Sequence, residues 1–585
     1  MTSAAIYCIQ QQMASLQARH VRGHTYWHLV ESRRVNGKPR PVPIAYLGKA
    51  DDLWARLQAA DALRLQSRSH GAVAALWALA QELDIADIID GQLLASGRRI
   101  SGADLSAAKG HRPPMSHDGL TVGQSLTLAS VGRACHPTSK RGFAPWARTT
   151  TLGDLAGTNV ERLTSQHFWD QMDQVPVEAI APIEREIVSR VFARLALPVD
   201  SLLFDATNFF TFIASTNSRP KLPARGHNKQ KRDDLRQVGI ALLCSREGGI
   251  PLWHQTYGGQ VADATCFADV LSTIRQRLVD LERDVETVTL IYDKGNVSRD
   301  NQKRVDSSRL HYVTSLTAAS QHEFVEKANA LLAPVDLGDE TVLAYRERRK
   351  IWGAERTAVL VLSERLREGQ MRGILQHVES ALRWLSDLAD TLSRGKQKRD
   401  RARIQRDIES RLQGRQHLRE VLRFDLVGDD PKLSLAYEFD RQAFDALAHQ
   451  RLGRVVLITD RHDWSTAEII RAYHGQSHIE AVFAHLKDPM HLGLRPQYHW
   501  TDQKLHVHVF TCILGYLLAR TLFLRAQHLH VPYASMESLL DALTQIRRVT
   551  VARSATGKGR MRISTQLEQV DDSLVDLLPA LGIRE

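Results

Sequence analysis

At 585 residues the chain exceeds what one ordinary hydrophobic core organises, so roughly two to four domains are expected. An apolar fraction of 43%, an aromatic fraction of 6% and a charged fraction of 24% exclude disorder as the default state. A net charge of +11 favours a polyanionic partner, nucleic acid first, because each Lys or Arg that meets a phosphate releases condensed counterions; plain solubility is the competing explanation of the charge. The five cysteines, Cys8, Cys135, Cys244, Cys266 and Cys512, form no C-x-x-C pair, which argues against a disulfide framework or a thiolate zinc site and fits a reducing cytoplasm. Met1–Gln12 lacks a charged start followed by an apolar stretch, and the apolar run Val509–Ala519 ends at Arg520, short of the ~20 residues a membrane span needs, so neither secretion nor membrane insertion is expected.

In chain order, residues 20–48 read as short strands around a turn at Asn36-Gly37. From Ala72 to Phe192 the pattern is helical, with Leu76, Leu79, Leu83 and Ile85 on one stripe and a Gly/Pro/Ser-rich loop over 101–116; a DNA-binding role is assigned to this helical part. Apolar strands are expected at Ser201–Thr207, Gly239–Cys244 and Ile250–Tyr257, the first ending in an acid, Asp205. A helix over Ala264–Leu281 buries Phe267, Val270, Leu271, Ile274 and Leu278. A strand at Thr287–Asp293 again ends in an acid, and a helix over Ser298–Val305 and a strand at His311–Leu316 follow. Three strands, helix, strand, helix, strand is the order of an RNase H-like fold, in which the first and fourth strands lie side by side. Beyond it come a hairpin at Thr341–Ser363, a charged helical stretch over Glu364–Leu422, and β segments at Leu433–Phe439 and Arg454–Thr459, read as an insertion before the last catalytic helix. The expected fold class is thus α/β, a mixed RNase H-like sheet with a large insertion and a helical N-terminal domain. Its divisions are 1–60 (small β element), 61–195 (helical), 196–320 (core, first part), 321–452 (insertion), 453–530 (core, second part) and 531–585 (C-terminal segment).

Two acids at the ends of neighbouring strands and a third on a helix suit two Mg²⁺ ions, because hard cations prefer oxygen ligands and a metal pair ~3.5–4 Å apart stabilises both attacking and leaving oxygens of a phosphoryl displacement. Asp205, Asp293 and Glu480 are the candidate ligands and catalytic residues, with Mn²⁺ able to substitute. A strand-end Asp alone is more often a turn former, and Asp293-Lys-Gly-Asn has turn chemistry. The third segment carries more: within Ile469–Asp488, Tyr473, Gln476, Glu480 and Lys487 share one helical face, with Ile470, Ile479, Val482, Phe483 and Leu486 on an adjacent one.

The pattern Tyr473-x₂-Gln476-x₃-Glu480-x₆-Lys487 resembles the YREK signature of bacterial insertion-sequence DDE transposases. Asp205-Ala-Thr, Asp293-Lys-Gly, the run Lys229–Val238, Pro137–Lys140 with Trp146, and Leu494-Arg-Pro agree with that branch, and the resemblance spans Val21–Leu524. It implies cut-and-paste chemistry on double-stranded DNA, at terminal inverted repeats and at a target, by a homodimer acting in the cytoplasm at the nucleoid. It also implies that Tyr473 and Lys487 lie along the DNA backbone. The signature arginine is Gln476 here, which replaces a bidentate phosphate ligand by a neutral amide. That departure keeps open a transposase-derived DNA-binding protein without catalysis, beside an RNase H-like nuclease without strand transfer.

His474 and His478 have the spacing of a metal pair, but the segment reads His-Gly-Gln-Ser-His without the glutamate a metalloprotease needs, so zinc is not expected. No G-x-x-x-x-G-K-[ST] loop is present, so ATP is not implied. The basic stretches Arg219–Arg236, with Lys229 and Arg232, and Lys396–Arg419 are candidate phosphate contacts; Trp352 reads first as a structural hairpin tryptophan, with stacking on a flipped base near the cut end as the alternative.

Overall fold

The computed structural model describes the chain apart from residues 1–13, 36–37, 53, 55–62, 97–118, 214–215, 227, 229–231, 233, 262, 395–399, 414–416, 431, 495–497, 532, 554–561, 569, 571–574, 576–577 and 585. The turn expected at Asn36-Gly37, the loop over 101–116, Lys229, Lys396, Lys398, Arg399 and the Arg495-Pro496 pair lie outside the described residues. The chain forms two compact units, the first assembled from Met1–Ala75, Trp146–Gly157 and Leu540–Glu585, the second from Leu76–Pro145 and Thr158–Leu539.

The first unit is β-rich. Strands β1 (Ala14–Val21), β2 (His24–Val35) and β3 (Lys38–Lys49) form an antiparallel sheet in that order. The strand β4 (Leu63–Ser69) belongs to a second antiparallel sheet with Arg547–Arg553 and Arg562–Leu567. Arg68 and Arg548 both bond the Asp154 carboxylate, tying the stretch Trp146–Gly157 to that sheet.

In the second unit the stripe Leu76, Leu79, Leu83 and Ile85 is buried, but a turn at Leu83 and Asp84, the latter at φ 51°, separates the helix that ends at Glu82 from the helix Ile85–Ala95. Helices Val122–Cys135, Ser165–Asp173 and Val177–Leu195 pack around a long helix, Asp502–His528. Among the described residues this last helix alone is long and apolar enough to cross a membrane, and 94% of its apolar window is buried inside the unit. Its Gly515 is required by close packing: a Cβ there would lie 2.8 Å from the Ser130 carbonyl oxygen on the neighbouring helix.

Against these helices lies a nine-stranded mixed sheet built from β5 (Ser201–Phe210), β6 (Gln237–Ser245), β7 (Pro251–Gly258), β8 (Thr289–Tyr292), β9 (His311–Leu316), β10 (Ala333–Asp336), β11 (Thr341–Ile351), β12 (Ala354–Leu362) and β15 (Arg454–Thr459). Its order is β10-β11-β12-β15-β9-β8-β5-β6-β7. The first and fourth strands of this run, β5 and β8, are parallel neighbours, and β8 pairs parallel with β9, while β6 is antiparallel to both β5 and β7. The crossing helix Asp263–Asp280 buries Phe267, Val270, Leu271, Ile274 and Leu278, as its periodicity predicts.

The hairpin expected over Thr341–Ser363 forms as β11 and β12, and it extends the main sheet through β15 instead of standing apart. Its two-residue turn puts Trp352 at φ 50° and Gly353 at φ 90°, the backbone of a tight turn that twists with its strands. The single charged helical stretch expected over Glu364–Leu422 resolves into helices Glu364–Ser393, Arg401–Leu412 and Leu418–Val421. With helix Arg441–Gln450 and the hairpin of β13 (Leu422–Val427) and β14 (Ser434–Phe439), these surround a separate apolar cluster that includes Ile374, Val378, Leu385, Ile408, Val421 and Phe444. Charge periodicity alone hid this core, because the apolar positions occupy only one narrow stripe of each helix.

Candidate active site

The strand β8 is four residues long, and its pairs with β5 run from Ser201–Thr289 to Phe204–Tyr292. Asp205 and Asp293 are the next residues on each chain segment, roughly 5 Å apart as neighbouring strands are. The expectation that both acids end strands holds for only one of them. The strand β5 continues to Phe210 against β6, so Asp205 lies mid-strand, where β5 loses β8 as its neighbour. Asp293 leaves the sheet: it caps the single turn Lys294–Asn296, its carboxylate accepting the Lys294 N–H at 2.7 Å. The Asp205 carboxylate accepts its own Ala206 N–H at 2.8 Å.

The signature segment is two helices, Thr466–His474 and Gln476–Lys487, joined at Gly475. Gly475 keeps helical angles, φ −56° and ψ −17°. A side chain there would press on the Ala472 carbonyl and on the Arg246 guanidinium, at 3.0 and 3.1 Å from a Cβ. Arg246 thus fills the junction, and its carbonyl is 3.0 Å from His478 Nδ1. Ile470, Ile479, Val482, Phe483 and Leu486 are buried, as the adjacent apolar face requires.

Tyr473, Gln476 and Glu480 line one cleft of about 1290 Å³, which they share with Asp293, the start of β11 and the N-terminal half of helix Glu364–Ser393. The Tyr473 hydroxyl bridges Ser315 Oγ on β9, at 2.7 Å, and the Asp293 carboxylate, at 3.4 Å. Burial, with the nearby Asp293 and Glu480 carboxylates adding to it, pushes this hydroxyl well above its ordinary pKa, so it stays protonated. Lys487 turns toward the sheet, donating to Thr207 Oγ1 at 2.6 Å, with its ammonium over the Phe209 ring at 5.5 Å. Thr207 and Phe209 share a face of β5 with Asp205, because strand side chains alternate. Asp205 therefore faces the helix that carries Glu480, although it does not line the cleft. Glu480 itself is exposed.

Among the described residues no three His, Cys, Asp or Glu side chains are gathered tightly enough to hold a metal ion as they stand. The donor set nevertheless suits a hard divalent cation, since it is all carboxylate oxygen on adjoining strands and a facing helix. Gln476 leaves its amide Nε2 buried without a hydrogen-bond partner. Arg232 is exposed, and its guanidinium makes two bonds of 2.7 Å to the Asp234 carboxylate, which it holds down at a pKa of about 2. Sequence reasoning missed Ser315, Thr207 and Arg246, each a supporting residue whose partner is distant along the chain, and the wall supplied by residues 364–377.

No curated protein matches the chain. It is similar to the piggyBac transposase in a cryo-EM structure of its synaptic complex with hairpin DNA, with 10% identity and a TM-score of 0.36 over 81% of this chain and 78% of that one. It is similar also to the Mos1 transposase in a paired-end complex with the left transposon end, with 12% identity and a TM-score of 0.15 over 37% of this chain and 63% of that one. Neither likeness adds to the assignment, which rests on sequence: residues 200–518, more than half of the chain, match the family described as transposase DDE domain, and the chain belongs to that family.

Proposed function

We propose that this protein is a cut-and-paste DNA transposase of the insertion-sequence branch with a YREK-like signature, working on terminal inverted repeats and target DNA as a homodimer in the bacterial cytoplasm. The observation that carries the reading is the convergence of Asp293 and Glu480 on one cleft, with Asp205 beside Asp293 and facing the Glu480 helix. The order β7-β6-β5-β8-β9, with β6 alone reversed, supports an RNase H-like core.

Asp205, Asp293 and Glu480 would hold two divalent ions, Mg²⁺ or Mn²⁺, as members of this family generally use divalent metals. Bound there, such ions supply a nucleophile and charge stabilisation for hydrolysis at the element end and for attack of the freed 3′-hydroxyl on target DNA. The chain's own residues orient the substrate. Lys487, held by Thr207, presents a fixed cation to the backbone; Tyr473, protonated, steadies Asp293; Gln476 puts a neutral amide where the signature has an arginine. Because that group is neutral, a DNA-binding protein that has lost catalysis is the second reading.

Purified protein incubated with Mg²⁺ or Mn²⁺ and linear DNA carrying the inverted repeats that flank its gene separates the readings. Cleavage with joining supports the transposase, cleavage alone a nuclease, binding alone the second reading. Asp205→Asn is expected to abolish cleavage and leave salt-sensitive binding intact; retained cleavage would refute the assignment of Asp205.

A further inference from the structure

The sheet β1-β2-β3 carries a one-sided positive charge. Between Ala14 and Lys49 the sequence holds Arg19, Arg22, Arg33, Arg34, Lys38, Arg40 and Lys49 against a single carboxylate, Glu31, which is buried at 5% exposure. Two further carboxylates, Asp51 and Asp52, lie just beyond β3, the second accepting the Lys49 N–H at 3.1 Å. The register sorts these residues by face. Arg19 pairs with Tyr26, and Tyr26 with Lys49, so one row across the three strands reads cation, aromatic, cation. The next row reads Gln17, His28, Tyr46, and the row at the turn Val21, His24.

On that face the rings touch in a continuous ridge: His24 to Tyr26 at 6.4 Å, Tyr26 to Tyr46 at 6.1 Å, and His28 to Tyr46 at 5.1 Å between centroids. Arg19, Arg22, His24 and Lys49 are exposed, and Tyr46 is 56% exposed. The β1-β2 turn is two residues, Arg22 at φ 48° and Gly23 at φ 79°, which carries an arginine at the tip. An exposed apolar and aromatic patch rimmed by cations marks a binding surface for a polyanion with a partly apolar interior.

We propose that this face is a duplex-DNA reading surface, seated in the major groove, with Arg19 and Lys49 on the flanking phosphates and the Tyr26–Tyr46 ridge against the base edges. Duplex is favoured over single strand because the rings pack tilted or edge-on against one another, at 35° to 70°, which is not the parallel stacking platform that unpaired bases use. The span fits as well: two inter-strand spacings cover about 10 Å, against a major groove about 12 Å wide. The proposal rests on the DNA transposition reading but uses no residue of the Asp293–Glu480 cleft.

The test is fluorescence anisotropy with the full chain and a labelled duplex of the flanking inverted repeat, over a range of salt, with metal-dependent cleavage measured on the same preparations. For the double variant Arg19→Gln, Lys49→Gln the slope of log K against log salt is expected to fall by about 1.8, two phosphate contacts at about 0.9 each. Tyr46→Ala is expected to weaken the repeat sequence more than a scrambled duplex. His20→Gln, on the opposite face and bonded to Thr25 at 2.9 Å, is expected to bind as the parent does. An unchanged slope in the double variant, an equal loss in His20→Gln, or equal affinity for an RNA duplex, whose major groove is too narrow for a sheet, would each overturn the proposal. A parent protein that binds the repeat but never cleaves leaves this surface standing and removes the catalytic reading instead.

Discussion

The two sides of the candidate site are held in different ways. Asp205 and Asp293 sit beside four consecutive backbone pairs between β5 and β8, an arrangement fixed by main-chain hydrogen bonds and indifferent to the side chains that follow. Glu480 stands on a helix whose described ties to the sheet run through side chains: Lys487 to Thr207 at one end, His478 to the Arg246 carbonyl just after β6, Tyr473 to Ser315 on the preceding helix, and an apolar face between them. A ladder tolerates loss of a carboxylate without moving, whereas a side-chain tether transmits each substitution to the residue it positions. Substitutions on the sheet side should therefore change chemistry alone, and those on the helix side should change chemistry through placement.

The largest effect that sharpens this contrast is expected at Glu480. Glu480→Gln should lower metal-dependent cleavage by on the order of 10²–10³-fold or more with DNA affinity unchanged, since one charged oxygen donor is lost from the reacting centre; near-parental cleavage would mean that this helix does not supply the third ligand. A smaller effect is expected from its tether. Lys487→Met should slow cleavage by on the order of 10–100-fold, because the helix that carries Glu480 loses a tie to the sheet and its carboxylate shifts. Thr207→Val added to it should cost little more, because both act through one bond. Fully additive losses in that cycle would show that Lys487 acts on DNA without help from the sheet. The smallest change is expected for Tyr473→Phe, which removes the bonds to Ser315 and Asp293 and should cost about 1 kcal/mol of stability with a few-fold loss of rate, measured by thermal melting beside cleavage. A Tyr473→Phe protein as inert as Asp205→Asn would break the distinction between residues that react and residues that place.

Much of the sheet was legible because buried strands announce themselves as apolar runs: β9 has the bounds its sequence predicts, and the helix Asp263–Asp280 buries the five residues its periodicity selects. The face of Tyr473, Gln476 and Glu480 was legible for the same kind of reason, since helical spacing survives the change of helix at Gly475. What did not show was anything that depends on a partner far along the chain. The continuation of β5 past Asp205 depends on β6, and the joining of β11 and β12 to the main sheet depends on β15, about a hundred residues later.

The sequence by itself selected the candidates, three carboxylates and a polar helical face, because side-chain type and periodicity are local properties. Only the tertiary structure decided that Asp205 flanks Asp293, that Lys487 donates to Thr207, and that the cations of β1 and β3 flank the same ring ridge. Strand register and helix docking are set by pairings between distant segments, and no single stretch of chain carries that information.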